Sequence, residues 1–291
     1  MTPCPALLLA SLLAASSAPA PAVPSDHGDT PLLNTIARPD AKLTDLHAFV
    51  RGGRLVLLVC TNPAIPNSAT SYVWPSDVQF VVHVDNTSQV TFADATDLQT
   101  YGGTIVRPDR VRSRASFRVG ADANGVPHLS TTGLNSGMSA QDLLFFAGLR
   151  DDPFIRGPRI GKNVAAFVIE LPLAAVTRGN RPILLWATAS IEGRSEPFQD
   201  LAGRSLRSMF VANDFMNTEE PADHARLHGV VPDVMIFDPA QPAAFPNGRE
   251  LADDVVDLVG DPGTLANDSP FPSANDVPFL TAFPYLAPPQ P

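Results

Sequence analysis

The sequence predicts a mainly β protein, an antiparallel β-sandwich with long proline-rich loops and a few short helices. Apolar residues recur with period two, as in residues 78–84 (VQFVVHV), where every second side chain is apolar. Turn residues separate such segments, and no regular alternation of strands with helical patterns indicates a parallel sheet. The 30 prolines among 291 residues are about twice the usual share. Together these features favour short strands joined by ordered loops.

The first predicted strands lie in the N-terminal third of the chain. Residues 54–60 form a continuous apolar run between turn signals, which is typical of a buried strand. Residues 78–84 alternate and then meet an Asp-Asn turn signal. We therefore predict residues 89–92 as their hairpin partner.

Three further strands are predicted in the middle of the chain. Residues 111–119 carry an alternating apolar face that points to the core. Residues 164–173 and 182–191 form a pair joined by a short turn. Pro172 should end the first of them or place it at a sheet edge, because proline cannot donate a ladder hydrogen bond.

Helices are expected to be few and short. The candidates are residues 140–146, 205–213 and 251–259, and the last of these fits a strand equally well. No internal repeat and no linker composition divides the chain. Residues 23–291 are therefore predicted as a single domain.

The last segment, residues 274–289 (ANDVPFLTAFPYLAPP), has an unusual combination of prolines and apolar residues. Its prolines exclude a helix and hardly allow a strand, because each fixes φ and removes an N–H donor. Phe279, Phe283, Tyr285 and Leu286 would be exposed to water if the segment were free. We predict that it lies extended over an apolar surface, with these four side chains largely buried.

The N-terminus is typical of an export signal. Residues 6–15 (ALLLASLLAA) are apolar but too few to span a bilayer, and Ala20-Pro21-Ala22 offers a cleavage site before Val23. Residues 1–22 are therefore predicted as a signal peptide, and the mature chain as extracytoplasmic, either periplasmic or secreted. The alternative is a buried N-terminal helix.

The charge and the cysteine content limit the classes of function that the chain can have. The 20 Lys+Arg residues against 30 Asp+Glu give a net charge of −10, which argues against nucleic acid or an anionic membrane as a partner. No stretch after the signal approaches 18 apolar residues, so no transmembrane segment is expected. Cys4 leaves with the signal, and Cys60 is then expected to be a buried small hydrophobic residue.

An acidic loop is the first candidate metal site. Asp151 and Asp152 are adjacent carboxylates before Pro153. Ca²⁺ accepts such oxygen ligands with loose geometry, so Ca²⁺ is the candidate cofactor. The alternative is a turn in which one carboxylate accepts backbone N–H groups and Arg150 pairs with the other.

A second candidate metal site lies near the mature N-terminus. His27, Asp29, Asp45 and His47 combine imidazole with carboxylate, which suits Zn²⁺ or a similar transition metal. Their spacing is not a recognised zinc signature. The alternative is that His27 is an exposed residue with no ligand role.

Four arginines alternate with other residues in the predicted strand 111–119 and just before it. Arg110, Arg112, Arg114 and Arg118 would share the face opposite the core and form a local positive stripe. One interpretation is a solvated face paired to the protein's own acids. The other is a contact surface for an anion or a uronic sugar.

Several motifs along the mature chain resemble a bacterial family known only as domain of unknown function 4331. The segments are SDHGDTPL (25–32), TDLHAF (44–49), FAGLRDDPF (146–154), NGRELADDVVD (247–257) and the tail 274–289. Residues 163–173 followed by 185–190 are similar to the paired core strands of that family. The resemblance implies membership of an exported bacterial family and implies no activity.

A second resemblance concerns the order of strands. VQFVVHVDN (78–86), FAGLRDD (146–152) and FVIELPLAAV (167–176) look like successive strands of family-nine carbohydrate-binding modules and their haem-binding relatives. This likeness implies a sandwich and does not identify a ligand.

The sequence therefore favours an exported, non-catalytic ligand-binding or envelope-associated sandwich, with a carbohydrate or another envelope component as partner. It contains no G-x-S-x-G, H-E-x-x-H or glycine-rich phosphate motif. One alternative is a metal-dependent hydrolase that uses His27, Asp29, Asp45 and Asp152. The other is a purely structural surface protein.

Expression with the native start in a Gram-negative host tests the export signal. We expect a protein outside the cytoplasm whose intact mass corresponds to a chain beginning at or near Val23, because signal peptidase cleaves after the A-x-A site. A periplasmic protein whose mass still includes Met1 would contradict this prediction.

Overall fold

Two antiparallel sheets pack face to face, which confirms the predicted mainly β sandwich. The computed structural model describes residues 30–153, 161–204, 211–255 and 274–291. Its strands are β1 (Leu43–Arg51), β2 (Arg54–Thr61), β3 (Val78–Asp85), β4 (Val90–Thr91), β5 (Thr104–Ile105), β6 (Ala115–Ala121), β7 (Pro127–Thr132), β8 (Leu144–Asp151), β9 (Asn163–Pro172), β10 (Ile183–Ile191), β11 (Asp200–Ala202) and β12 (Met235–Phe237). Its α-helices are α1 (Pro31–Thr35), α2 (Ala95–Tyr101) and α3 (Pro221–His228).

The first sheet, sheet A, has the strand order β1-β2-β9-β8. Its first two strands form a tight hairpin in which Arg51 is opposite Arg54. Gly52 and Gly53 connect them with φ values of 55° and 77°, a left-handed conformation that side chains disfavour. β9 ends at Pro172, as its sequence predicts.

The second sheet, sheet B, has the order β10-β3-β6-β7, and β11 and β12 both pair with the other edge of β10. The predicted hairpin of residues 78–84 with 89–92 is wrong, because β3 pairs with β10 and β6, whereas β4 pairs with β5. The Asp85 carboxylate accepts the backbone N–H groups of Thr87, Ser88 and Arg112. It thus holds the chain that leaves β3 beside the chain that enters β6. The intervening residues carry β4, α2 and β5, and Val90 and Ile105 pack in one cluster with Trp186 of β10.

The predicted pairing of residues 164–173 with 182–191 is also wrong. These segments are β9 and β10, but β9 lies in sheet A and β10 in sheet B. A 3-10 turn at Leu173–Ala175 follows β9 directly and begins the crossing between the sheets. Both strands have apolar faces that several other strands could pack against. Closeness in sequence therefore does not decide which strands they pair with.

The predicted helices were only partly found. Residues 140–146 form a 3-10 turn at Ala140–Asp142 and then enter β8 at Leu144. Of residues 205–213, the first six lie outside the described residues, and the rest begin a 3-10 helix at Val211–Asn217. Of residues 251–259, only 251–255 are described. Within the described ranges, no helix has both the length and the apolar character needed to cross a membrane.

The central core lies between the two sheets. It includes the large buried side chains Leu57 and Phe167 of sheet A and Phe80 and Phe117 of sheet B. Trp74 packs between the layers, with ring centroids 5.9 Å from Phe80 and 6.3 Å from Phe167. Each such side chain stabilises the fold by about 1.5–3 kcal/mol through burial.

Sheet A is apolar on its outer face as well, and the C-terminal tail covers that face. Tyr285 and Leu286 are buried there against a cluster that includes Phe49 of β1, Leu58 of β2 and Val168 of β9. The predicted docking of the tail is confirmed for Tyr285 and Leu286. The predicted burial was too strong for the other two aromatic residues, since Phe279 and Phe283 pack on this cluster but are only partly buried.

A buried hydrogen-bond chain fixes the tail to the sheet. The Tyr285 hydroxyl donates to Glu170 Oε2 at 2.6 Å, and Arg54 Nε donates to Glu170 Oε1 at 2.6 Å. Burial and the Glu170 carboxylate raise the pKa of Tyr285 to about 12. The phenol therefore stays protonated and continues to donate at any ordinary pH.

Leu286→Ala tests the role of the tail. We expect the free energy of unfolding in urea to fall by about 2–5 kcal/mol, because a fully buried leucine is truncated at the sheet. Leu280→Ala is the matched control in the same tail, since Leu280 is 39% exposed, and it should change stability little. Equal denaturation midpoints for wild type and Leu286→Ala would show that the tail does not stabilise the domain.

Candidate functional site

Asp45 and His47 lie together on β1 in a buried polar cluster. Arg249 Nη1 is 3.1 Å from Asp45 Oδ1, and His47 Nε2 is 3.8 Å from the same oxygen. His47 Nδ1 is 3.1 Å from the carbonyl oxygen of Glu250. Burial and the charge of Arg249 lower the pKa of His47 to about 3, so the imidazole is neutral at pH 7.

This cluster holds a covering segment against sheet A. Arg249 also exchanges backbone hydrogen bonds with Ala48 of β1, at 2.9 and 3.1 Å. The Asp45 carboxylate thus balances a buried guanidinium. His27 and Asp29, the other half of this candidate metal site, lie outside the described residues.

Asp151, at the end of β8, anchors the C-terminal tail. Its carboxylate accepts the side-chain amides of Asn275 and Gln290, both at 2.8 Å, and its N–H donates to the Ala287 carbonyl at 3.2 Å. Burial raises the pKa of Asp151. The acidic loop and the tail, two separate features of the sequence, therefore meet in one contact.

The rest of the acidic loop differs from the predicted turn. Arg150 lies over the ring of Phe146, 4.0 Å from its centroid, and forms no pair with a carboxylate of the described residues. The side chain of Asp152 is buried, and its N–H donates to the Lys162 carbonyl at 3.1 Å. The interpretation that Arg150 pairs with one of the acids is wrong.

Metal binding stays a prediction. Across residues 30–153, 161–204, 211–255 and 274–291, no three His, Cys, Asp or Glu side chains come together as metal ligands. Asp45 lies on β1, and Asp151 lies at the end of β8, on the opposite edge of sheet A. These carboxylates therefore do not form one site.

The predicted arginine stripe does not lie on a single strand. β6 begins at Ala115, so only Arg118 lies within it, while Arg112 and Arg114 lie in the segment that leads into it. Arg110 ends a 3-10 helix at Pro108–Arg110. All four side chains are exposed.

None of these four arginines forms an ion pair with a carboxylate of the described residues, a property that they share with Arg150, Arg178 and Arg181. Arg118 Nη1 donates to Gln79 Oε1 at 2.9 Å, and Arg114 Nε donates to Thr87 Oγ1 at 3.1 Å. Other arginines do pair with acids: Arg38, Arg51, Arg54, Arg107, Arg194, Arg226 and Arg249. The interpretation that the stripe is paired to the protein's own acids is therefore wrong for the described residues.

Arg118 belongs to a polar surface on the outer side of sheet B, which we call the polar face. Strand register places side chains from β3, β6, β7 and β10 on this surface. Its polar members are Gln79, His83, Ser116, Arg118, His128, Ser130, Thr132, Thr188 and Ser190, of which Ser116 and Thr188 are buried. A groove of ≈ 350 Å³ is lined by Gln79, His128 and Ser190 of this face and also by Asp77 and Glu192.

His83 is the most constrained side chain of the polar face. Its ring stacks on Trp186 with centroids 5.0 Å apart and planes 10° from parallel. Nε2 is 2.9 Å from Thr188 Oγ1, and Nδ1 is 3.1 Å from Ser113 Oγ. Burial and the charge of Arg118 lower the pKa of His83 to about 3, so it acts as a neutral hydrogen-bonding group.

The alternation of residues 78–84 is a sequence signal for this surface. The alternation that places Val82 in the core also places Gln79 and His83 on the other side of the same strand. Nothing in the sequence indicated that Thr188 and Ser113 would meet His83, because those contacts cross between strands.

Comparison of the chain with protein-family models, with curated proteins and with solved structures gave no significant match.

The pH dependence of stability tests the buried state of His47. Folding lowers the pKa of His47 from the ~6.5 of the unfolded chain. Below that pH, the unfolded chain therefore binds a proton on this imidazole more readily than the folded chain does. The contribution of His47 to the free energy of unfolding is therefore fully present above that pH and is lost as the pH falls toward 3. Between pH 7.5 and 5.5, we expect His47 to account for a loss of about 1 kcal/mol in urea denaturation.

His47→Asn should make this pH dependence shallower, because an amide can still donate to the Glu250 carbonyl but does not titrate. His128→Asn, on the exposed side of β7, is the matched control and should retain the steeper dependence. The pKa of Asp151 is raised on folding, so Asp151 changes stability with pH in the opposite direction, but both variants retain it. The same pH dependence in His47→Asn and wild type would contradict a buried, neutral His47.

Proposed function

We propose that this chain is an exported, non-catalytic β-sandwich that binds an anionic carbohydrate on the polar face of sheet B. The observation that carries the proposal is the group of exposed arginines, Arg112, Arg114 and Arg118. Arg118 lies on the polar face, and Arg112 and Arg114 lie in the segment that leads into β6 beside it. All three are exposed, and the side chains of Arg114 and Arg118 donate to neutral groups among the described residues.

The charge balance makes this group informative. With a net charge of −10, the chain offers an excess of carboxylates to any arginine. Near the polar face, the buried Asp85 carboxylate accepts hydrogen bonds from Thr87 and Ser88. It also accepts the N–H of Arg112 at 3.1 Å. Because this acid is satisfied by its own loop, the neighbouring guanidinium groups remain available to an external anion.

The neighbouring side chains suit a sugar. Gln79, Ser130 and Thr132 are exposed and present amide and hydroxyl groups that both donate and accept hydrogen bonds. Arginine binds a carboxylate with two parallel hydrogen bonds, which matches a uronic acid. Because paired strands hold these groups, little conformational entropy is lost when a ligand binds.

The sequence features agree with this role. The predicted signal peptide of residues 1–22 supports an extracytoplasmic location. The resemblance to the domain of unknown function 4331 supports an exported bacterial protein. The likeness to carbohydrate-binding modules supports a sandwich that presents a binding face.

A metal-dependent hydrolase is less well supported. Asp45, one of the residues assigned to it, is held by Arg249. Asp45 also lies on the opposite edge of sheet A from Asp152, which follows β8, so these two acids do not form one site. Ca²⁺ is retained only as a candidate cofactor for the acidic loop. A purely structural surface protein is an outcome of the binding test.

Replacement of Arg112, Arg114 and Arg118 by glutamine tests the proposal. Wild type should bind polygalacturonate in affinity electrophoresis and calorimetry, with affinity falling as NaCl rises, and should not bind dextran. We expect the triple variant to bind at least about tenfold more weakly, since three charged contacts of ~0.5 kcal/mol each are lost.

The matched control replaces Arg107, Arg194 and Arg226 by glutamine. These arginines pair with Asp109, Glu196 and Asp223, so the change in net charge is the same but the polar face is intact. Equal losses in both triple variants would indicate a general charge effect and contradict a defined site. Absence of polygalacturonate binding by wild type would favour a structural protein.

A further inference from the structure

A cavity of ≈ 440 Å³ lies between helix α2 and the loop of residues 238–247. Its apolar walls include Phe92, Leu98 and Pro246, and its polar groups include Asp238 and Asn247. None of these residues belongs to the polar face. The cavity therefore requires a separate explanation.

Its walls are held in place by close backbone contacts. Asp94 caps the start of α2 by accepting the N–H of Asp97 at 2.9 Å. Gly102 ends the helix with φ of 78°, and a Cβ there would lie 2.6 Å from the Pro246 carbonyl oxygen. The end of the helix thus touches the loop directly, which only glycine permits.

Two large apolar side chains remain exposed in the cavity. Phe92 is 40% exposed and Leu98 is 44% exposed, and both line the same space. The Phe92 ring is held over Gly103, where a Cβ would lie 3.0 Å from it. A preformed apolar surface of this kind loses unfavourable contact with water when a ligand covers it.

The polar groups of the cavity are not equivalent. Asn247 is fully used by the loop, because its Oδ1 accepts the Asp238 N–H at 2.6 Å and its Nδ2 donates to the Asp238 and Pro242 carbonyls at 3.2 and 3.0 Å. Asp238 Oδ1 accepts the Ala240 N–H at 3.0 Å. Asp238 Oδ2 has no donor among the described residues, although the side chain is only 9% exposed.

The Asp238 Oδ2 atom has no donor in the described part of the chain and is open to the cavity, at a residue that otherwise has little contact with water, so it favours a cation or a strong hydrogen-bond donor beside it. We propose that the cavity binds a small organic cation, an ammonium group on an aryl or alkyl body. The ammonium contacts Asp238, and the body covers Phe92 and Leu98. The cavity volume lies near the lower end of the usual ~300–1,000 Å³ range for ligand sites, which fits a molecule of this size.

Three probes that share a phenyl ring on a two-carbon chain but differ in charge test the proposed cation site on the unmodified protein. They are 2-phenylethylamine, the neutral 2-phenylethanol and the anionic phenylacetate, compared by saturation-transfer NMR and calorimetry. We expect the amine to bind about tenfold more tightly than the alcohol, because only the amine pairs with Asp238. Phenylacetate should not bind. Equal binding of the three probes, or no binding of the amine, would overturn the proposal.

Two variants locate the site. Asp238→Asn keeps an oxygen for the Ala240 N–H but removes the charge, so it should abolish the preference for the amine while the alcohol still binds. Leu98→Ala should weaken both probes. Leu227→Ala is the matched control, since Leu227 is 61% exposed on α3 and does not line the cavity. An unchanged amine affinity in both Asp238→Asn and Leu98→Ala would place the binding elsewhere. The comparison of the three probes needs only the wild-type protein, so it tests the proposal even if a variant does not fold.

Discussion

The burial of sheet A on both faces is the constraint on which the rest of this structure depends. Successive residues of β2 alternate between the two sides, with Leu57 in the central core and Leu58 in the outer cluster. β9 does the same with Phe167 and Val168. Sheet B covers one side, so the other needs a second cover. The C-terminal tail and the segment around Leu251 provide it, and the domain is complete only when both have docked.

This requirement explains the role of three buried acids of sheet A. Asp45, Asp151 and Glu170 each bind a group that belongs to, or supports, a covering segment: Arg249, the amides of the tail, and the Tyr285 hydroxyl. A buried carboxylate is costly without donors, so each one also restricts where its partner can lie. Asp151 and Asp45, two acids that suggested metal chemistry in the sequence, therefore help to fix the position of the tail and of the Arg249 segment, respectively.

The surfaces left for ligands lie away from this cover, and they differ in construction. The polar face is an array of side chains on paired strands, with Arg118 on it and Arg112 and Arg114 beside it; none of these guanidinium groups has an ion pair with a carboxylate of the described residues. The cavity at α2 is enclosed by backbone contacts at Gly102, and its carboxylate favours a cation. In a chain of net charge −10, the cationic surface is the more unusual of the two. This contrast is why the arginines carry the proposed function.

The sequence by itself determined the fold class, the positions of most strands and the docking of Tyr285 and Leu286, because alternation and proline act locally. It did not determine the partner of β3 or the assignment of β9 and β10 to different sheets, since strand pairing depends on apolar faces far apart in the chain. The candidate sites were harder still. Asp45 meets Arg249 across 204 residues, and Asp151 meets Asn275 and Gln290 across 124 and 139. Only the tertiary structure decides such contacts, because a carboxylate takes whichever donor the packing of the core brings to it.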